Sequence, residues 1–319
     1  MPGSSGVIQC SRRSSDDRLQ IICTLMQIIC QSEHVQSVDR LSSMLEQFRL
    51  QAHLFHSGPL CGVTTFARVP GRGFLHVLRD GEMSVSHQRP DGQLETIEVD
   101  RPSVLLYPRP LEHSFHNAPS DDSDFACAAI DVDVHRGASH PLFAALPPVV
   151  IIPLEDITTL RPALDLLFSE IDAGACGQRV IVDRLFEVVL MQLFRWIVDH
   201  SDVLDLPSGL FTGLADPALA RALVAIHEDP GAAWSLSAMA DAAQLSRSTF
   251  AARFNSLVGV PPAEYLARWR VTLAQGMLRS GQPVGLTATR LGYASAPAFS
   301  RAFASHAGSS PRAWLALNG

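Results

Sequence analysis

Residues 246–265 read SRSTFAARFNSLVGVPPAEY and residues 295–314 read SAPAFSRAFASHAGSSPRAW. At an offset of 49 residues, Ser246, Phe250, Phe254, Gly259, Pro262 and Tyr265 fall on Ser295, Phe299, Phe303, Gly308, Pro311 and Trp314 with no insertion. The two Phe of each copy are four apart and so share one helical face. The Gly ends that helix, and the Pro opens the next where its missing N–H costs nothing. Upstream of each copy lies a short helix of mostly small residues, 236–243 and 284–291, then a tight break at Gln244-Leu245-Ser246 and at Gly292-Tyr293-Ala294-Ser295. Helix, short turn and helix with a Ser cap is the helix-turn-helix layout. The second helix of such a unit enters the DNA major groove. The apolar stretch 263–278 joins the units. As a helix rising about 1.5 Å per residue it spans roughly 24 Å, enough to hold two recognition helices about one DNA turn apart. The alternative is a helical protein with a duplicated packing motif.

Charge divides the chain at the same place. From residue 216 onward there are nine Arg against five acids, whereas residues 1–215 hold sixteen Arg against 27 acids. The phosphate-attracting part is therefore C-terminal, and the rest repels DNA. A net charge near +4 on the basic part implies that binding leans on dimerisation. Every basic residue is Arg.

Trp234-Ser235-Leu236, Met239-Ala240, Leu245 to Phe250 and Phe254, then Leu291-Gly292-Tyr293, Phe299 to Phe303, Gly308 and Ser310-Pro311 carry a family likeness. Over about residues 214–317 they resemble the DNA-binding domain of AraC/XylS-type bacterial transcription regulators. The resemblance implies binding of double-stranded operator DNA through both units, action with RNA polymerase, often as an activator, and a sensory domain at the other end.

The recognition faces follow from helical position. Arg247, Ser248, Ala251 and Ala252 lie on the outward side of the first unit, with Phe250 and Phe254 turned to the core. Ala296, Pro297, Ser300 and Arg301 occupy the same places in the second, which makes Arg301 the one long donor aimed outward there. Arg301 is the candidate for a bidentate contact to guanine. The bland reading is that Arg301 or Arg253 touches only phosphate. Ala252 and Ala296 suit thymine methyls, although Ala is also a good helix former.

At 319 residues and 47% apolar content the chain holds two domains with adequate cores. No apolar run reaches about 18 residues, so no membrane span is expected. Residues 19–30 are apolar and follow Arg12-Arg13, as in a signal peptide, but lack a small-residue cleavage site. A DNA binder is expected in the cytoplasm, on the nucleoid. Residues 1–37 lack periodicity and are read as a disordered leader, with Val38 a candidate start from a valine codon and Asp39 capping a helix over 40–48.

Short alternating runs at 62–68, 74–78, 82–87, 94–99, 104–107 and 126–132 are separated by turn signals such as Pro70-Gly71-Arg72-Gly73 and Arg79-Asp80-Gly81. Six such strands predict an antiparallel barrel or jelly roll. Pro102, Pro108-Arg109-Pro110, His113 and Asn117 resemble the second motif of cupin barrels, with Pro where Gly is usual, and 74–82 resembles the end of the first. The predicted fold class is α+β: a cupin-like barrel over 38–155, a helical linker and dimerisation region over 156–213, and an all-α DNA-binding domain over 214–319. Cupin enzymes hold a metal through two nearby His, a Glu and a further His. Here only His113 sits at a ligand position, because Gly71 to Phe74 replace the first-motif ligands. The barrel is therefore read as sensory rather than catalytic. The alternative is a cupin-type metal-dependent enzyme, or a structural metal barrel, fused to a DNA-binding module.

Residues 160–174 and 180–200 show helical periodicity, and Ile181, Leu185, Val188, Val189, Gln192, Leu193 and Trp196 form an apolar stripe. It packs either on its own barrel or on a second subunit, and the resemblance favours a homodimer. Residues 202–212, rich in Pro, Ser and Gly, read as a hinge.

Six Cys in such a protein are not a disulfide framework. Cys61 lies in a turn and Cys127 on a late strand. Some relatives with this barrel sense reactive chlorine species through two Cys in comparable places, which implies a sensor set of Cys61 and Cys127 with His56 and His113 as neighbouring donors. The alternative is that Cys127 is a small buried hydrophobe. Zinc held by His56, Cys61, His113 or His116 and an organic effector are the remaining expectations.

Overall fold

The computed structural model describes residues 39–48, 50–60, 62–89, 91–117, 123–132 and 141–318. The readings of 1–37, of Val38 and of Cys61 lie outside them. From Arg40 onward the chain forms one compact unit.

All six anticipated strands are present: β2 (Gly62–Phe66), β3 (Arg72–Asp80), β4 (Met83–Gln88), β5 (Leu94–Val99), β6 (Ser103–Tyr107) and β8 (Asp124–Asp131). Three more join them, β1 (Ala52–Pro59), β7 (His113–Asn117) and β9 (Val150–Pro153). They pair antiparallel into a five-stranded sheet, β1-β8-β3-β6-β9, and a four-stranded sheet, β2-β7-β4-β5. Among the described residues no strand pairs across the two, so the expected barrel is a two-sheet sandwich with edges at β1, β9, β2 and β5. Phe66, Phe74, Leu78, Val85, Tyr107, Phe115 and Cys127 fill the space between the sheets. The larger sheet is covered on its other face too, so β3 and β8 are apolar on both sides and read as continuous runs rather than alternating ones.

That outer cover is helical. After α1 (Ser42–Gln47) and the sandwich come α2 (Pro141–Ala144), α3 (Arg161–Ala173) and α4 (Gln178–Asp199). Leu185, Val189 and Leu193 of α4 are buried in the same core as Leu75, Val77 and Ile130 of the larger sheet. Asp183 fixes α4 to β1 by accepting from His53 Nδ1 and from the Leu54 N–H, each at 3.0 Å. The stripe anticipated on an exposed linker helix thus divides: Leu185, Val189, Leu193 and Trp196 are buried, while Ile181 and Val188 remain exposed.

The anticipated hinge is also structured. Residues 210–215 form α5 (Leu210–Ala215), and Leu206, Leu210, Phe211 and Leu214 are buried in that core. A Pro/Gly/Ser count marks the breaks around this helix but misses its four apolar anchors.

The C-terminal helices follow the repeat closely. After α6 (Pro217–Glu228) come α7 (Leu236–Ala243) and α8 (Arg247–Val258), then α9 (Pro262–Arg279), then α10 (Val284–Arg290), α11 (Ala296–Ala307) and α12 (Pro311–Asn318). Ser246 Oγ accepts from the Thr249 N–H and Ser295 Oγ from the Ala298 N–H, so both recognition helices carry the predicted Ser cap. Phe250 and Phe254 join the core that begins in the sandwich, whereas Phe299, Phe303 and Trp314 form a separate cluster with Val271, Ala274 and Leu278. The connecting helix α9 is shared: Leu266 and Trp269 belong to the first core and Val271 to the second.

Candidate functional site

On α8, Arg247, Ser248 and Ala252 are exposed and Ala251 is half-buried, while Phe250 and Phe254 are fully buried. On α11, Pro297 and Arg301 are exposed and Ala296 and Ser300 half-buried. Arg253 is exposed but committed: it ion-pairs with Asp216, whose Oδ1 caps α6 by accepting from the Ala218 and Leu219 N–H groups at 3.0 and 2.9 Å.

Four more of the nine Arg in this half are occupied within the fold. Arg221 donates to Ala243 O (2.8 Å), Arg268 to Glu264 (2.8 Å), Arg270 to Pro230 O and Ala232 O (2.7 and 2.9 Å), and Arg279 to Asn318 O (2.9 Å). Arg247, Arg290, Arg301 and Arg312 are exposed and have no ion-pair partner among the described residues. Sequence reasoning missed Arg290 and Arg312. Neither lies on a recognition helix, and only the list of engaged guanidiniums separates them from their neighbours.

The two helix-turn-helix units meet at backbone level. A Cβ on Gly231 would come within 2.3 Å of Arg290 O, and one on Gly292 within 2.3 Å of Gly231 O. Arg270 seals this joint through Pro230 and Ala232 and lies over the Tyr293 ring, 5.4 Å from its centroid.

Inside the sandwich, His76 of β3 and His113 of β7 join the sheets with Nε2 atoms 2.9 Å apart. His113 Nδ1 lies 3.0 Å from Leu111 O, and a carbonyl only accepts, so that nitrogen carries the proton. For a neutral ring His113 Nε2 is then the acceptor and His76 Nε2 the donor, which leaves His76 Nδ1 as a bare acceptor. It is buried without a partner, as are His87 Nδ1 and the Tyr107 hydroxyl. Burial lowers His113 to about 4, and burial with the nearby His113 and His56 lowers His76 as well. Tyr107 stacks on His113 at 3.8 Å between centroids, and Phe66, Phe74 and Phe115 surround the pair. His76, His87 and Tyr107 were not singled out in the sequence, because each sits singly in its strand with no partner nearby in sequence.

His56 of β1 lies opposite Cys127 of β8, which lies opposite His76, so the three form one row across the larger sheet. Cys127 is fully buried, and burial pushes its thiol up. A protonated, inaccessible thiol is a poor nucleophile, and of its two readings the small buried hydrophobe fits this environment. The described members of the candidate zinc set, His56, His113 and His116, do not assemble. His116 lies on the opposite face of β7 from His113 and bonds Ser86 Oγ at 2.8 Å, while His56 Nε2 faces Gly58 O at 3.2 Å. Among the described residues no three His, Cys, Asp or Glu are placed to hold a metal ion.

Two family models match the chain, a cupin over residues 39–199 and a helix-turn-helix domain over residues 239–316. A protein described as an AraC-like transcription regulator of Streptomyces antibioticus is 32% identical over 245 residues, which cover 69% of this chain and 80% of that protein. The HTH-type transcriptional regulator AlkR of Acinetobacter baylyi is 30% identical over 70% of this chain and 76% of its own length. The RCS-specific HTH-type transcriptional activator RclR of Escherichia coli is 24% identical over 74% and 81%. All three are regulators, which sets aside the cupin-enzyme alternative. A cupin-type sandwich packed on paired helix-turn-helix units, with these relatives along most of its length, makes the chain a member of the AraC-like family of DNA-binding transcription regulators.

Proposed function

We propose that this regulator binds its operator as a homodimer, contacts RNA polymerase there, and is controlled by a small organic effector in the sandwich. On this reading residues 38–155 sense, 156–213 couple and dimerise, and 214–319 bind DNA. The observation that carries it is the single core running from the larger sheet through α4 and α5 to Phe250 and Phe254 of the first recognition helix. A change of packing in the sandwich therefore has a continuous path to the DNA-reading surface. An organic effector suits this interior better than an oxidant, because Cys127 is a buried, protonated thiol.

The subunit contact is assigned to the exposed strip of α4. Ile181, Val188 and Met191 are 44, 36 and 37% exposed and recur at three- and seven-residue steps, with Arg184 and Arg195 on the same seam. No helix among the described residues is long and apolar enough to cross a membrane, and the proposed location is the cytoplasm, on the nucleoid. Genome-wide binding of the native full-length protein tests the central claim. Discrete sites containing paired half-sites, with transcription from the adjacent promoters altered on deletion, are expected. Uniform, sequence-independent coverage would overturn it.

A further inference from the structure

Residues 1–215 carry sixteen Arg against 27 acids, yet three of those Arg line one cleft of about 690 Å³ at the end of the sandwich where β4 turns into β5 and β6 leads into β7. They are Arg68, Arg89 and Arg109, and Glu112 is the one acid in the lining. Arg68 and Arg109 have no ion-pair partner among the described residues, while Arg89 shares Glu95 with His87 at 3.8 and 3.5 Å. Uncompensated guanidiniums on a concave wall focus positive potential, and their planar forks match carboxylates in two-point geometry.

The cleft reaches a buried polar group. His87 lines it and its side chain is only 2% exposed. His87 Nε2 lies 3.5 Å from the Glu95 carboxylate, and Nδ1 is buried with no protein partner. A buried polar nitrogen without a partner is unfavourable until something supplies one. Leu111, Pro110 and Pro148 give the cleft an apolar wall, and its volume lies within the usual range for small-molecule sites. Inorganic phosphate fits neither that size nor that wall.

We propose that this cleft is the effector site and takes a small organic acid, its carboxylate on Arg68 and Arg109 and a second, hydrogen-bonding group on His87. The proposal rests on the reading of the sandwich as a sensor. The cleft has a route outward. Pro148 of its wall lies five residues after Phe143, whose ring packs on Phe194 at 5.4 Å, and Phe194 packs on Phe211 of α5 at 5.8 Å. From α5, Thr212 Oγ1 donates to Leu257 O at 2.6 Å and the Gly209 N–H to the same oxygen at 2.8 Å, at the end of the first recognition helix.

The test is calorimetric titration of the full-length protein with 4-hydroxybenzoate and with 8-hydroxyoctanoate, each against its uncharged amide. At least one acid is expected to bind with a Kd below about 1 mM, and its amide about tenfold more weakly or worse. Arg68→Ala with Arg109→Ala, both exposed positions, should weaken the acid by about tenfold without changing thermal unfolding. His87→Phe should remove the advantage of the hydroxy acid over benzoate or octanoate. Failure of both acids to bind, or binding untouched by the double Arg variant, overturns the cleft and leaves a sensory sandwich standing. Binding that obeys the Arg variants but leaves operator affinity unchanged upholds the carboxylate site and overturns its role as effector site.

Discussion

His76 and His113 hold the two sheets together through Nε2 atoms 2.9 Å apart, both rings buried and both neutral in the folded chain. Each nitrogen that faces the other sheet is thereby committed. Proton uptake by either ring would place a charge among Phe66, Phe74 and Phe115.

Stability should consequently fall in mild acid. Above about pH 6.5 both rings are neutral folded and unfolded, so they add no pH dependence. Below that value the unfolded chain takes up protons that the folded chain refuses, and stability is lost progressively until the folded rings titrate, near 4 for His113. The His113 shift alone corresponds to about 3 kcal/mol across this window. Urea midpoints at several pH values between 7.5 and 5 should show the decline, and His113→Gln should flatten it. An unchanged slope in that variant would place the acid sensitivity elsewhere, with the fully buried His227 next in line.

Arg301 and Arg253 should behave differently although both are exposed. Arg301→Ala is expected to weaken the specific operator by about 1–3 kcal/mol with little change on random DNA. Arg253 is tied to Asp216, so Arg253→Ala should act mainly on stability, by about 1 kcal/mol for a pair whose Arg is half exposed and whose Asp, though buried, keeps its capping N–H donors. Equal losses on operator and random DNA for the Arg301 variant would assign that residue to phosphate.

The face of α4 that joins subunits can be separated from the face that holds the fold. Val188→Asp with Met191→Asp should give a folded monomer, whereas Leu185→Asp with Leu193→Asp buries two unpaired charges and should prevent folding. Sedimentation velocity with circular dichroism reads both outcomes. A Val188/Met191 double variant that still sediments as a dimer would move the interface off this helix.

These cases show why some features were legible in the sequence and others were not. The C-terminal helices were readable because the pattern occurs twice: the Phe pairs, the Ser caps and the Gly stops each confirm the other copy. The strands β1, β7 and β9 escaped because His53, His56 and Gly58 dilute the first, two His dilute the second, and the third is a four-residue edge. The α4 stripe was visible as periodicity, but periodicity cannot say which neighbour covers it, and Leu185 and Leu193 turned out to be covered by the protein's own core. The His76–His113 bridge left no local signal, since its members come from different sheets 37 residues apart.

The joint between Gly231 and Gly292 yields the sharpest prediction about DNA reading. Gly292 has φ +73°, which Ala adopts only with strain, and an added Cβ would lie 2.3 Å from Gly231 O, a backbone atom that cannot swing aside. Gly292→Ala must therefore shift the second unit relative to the first while leaving Phe299, Phe303 and Trp314 in their own cluster. Recognition of one subunit's half-site needs both helices at the separation set by α9, whereas a segment read by a single unit needs only one. The variant should keep its helical circular dichroism and bind each single-unit segment nearly as the parent does, yet lose most of its advantage on the complete half-site. A loss of the same size on the two single-unit segments and on the complete half-site would mean that the substitution damages a recognition helix itself, and that the glycine contact does not set the spacing.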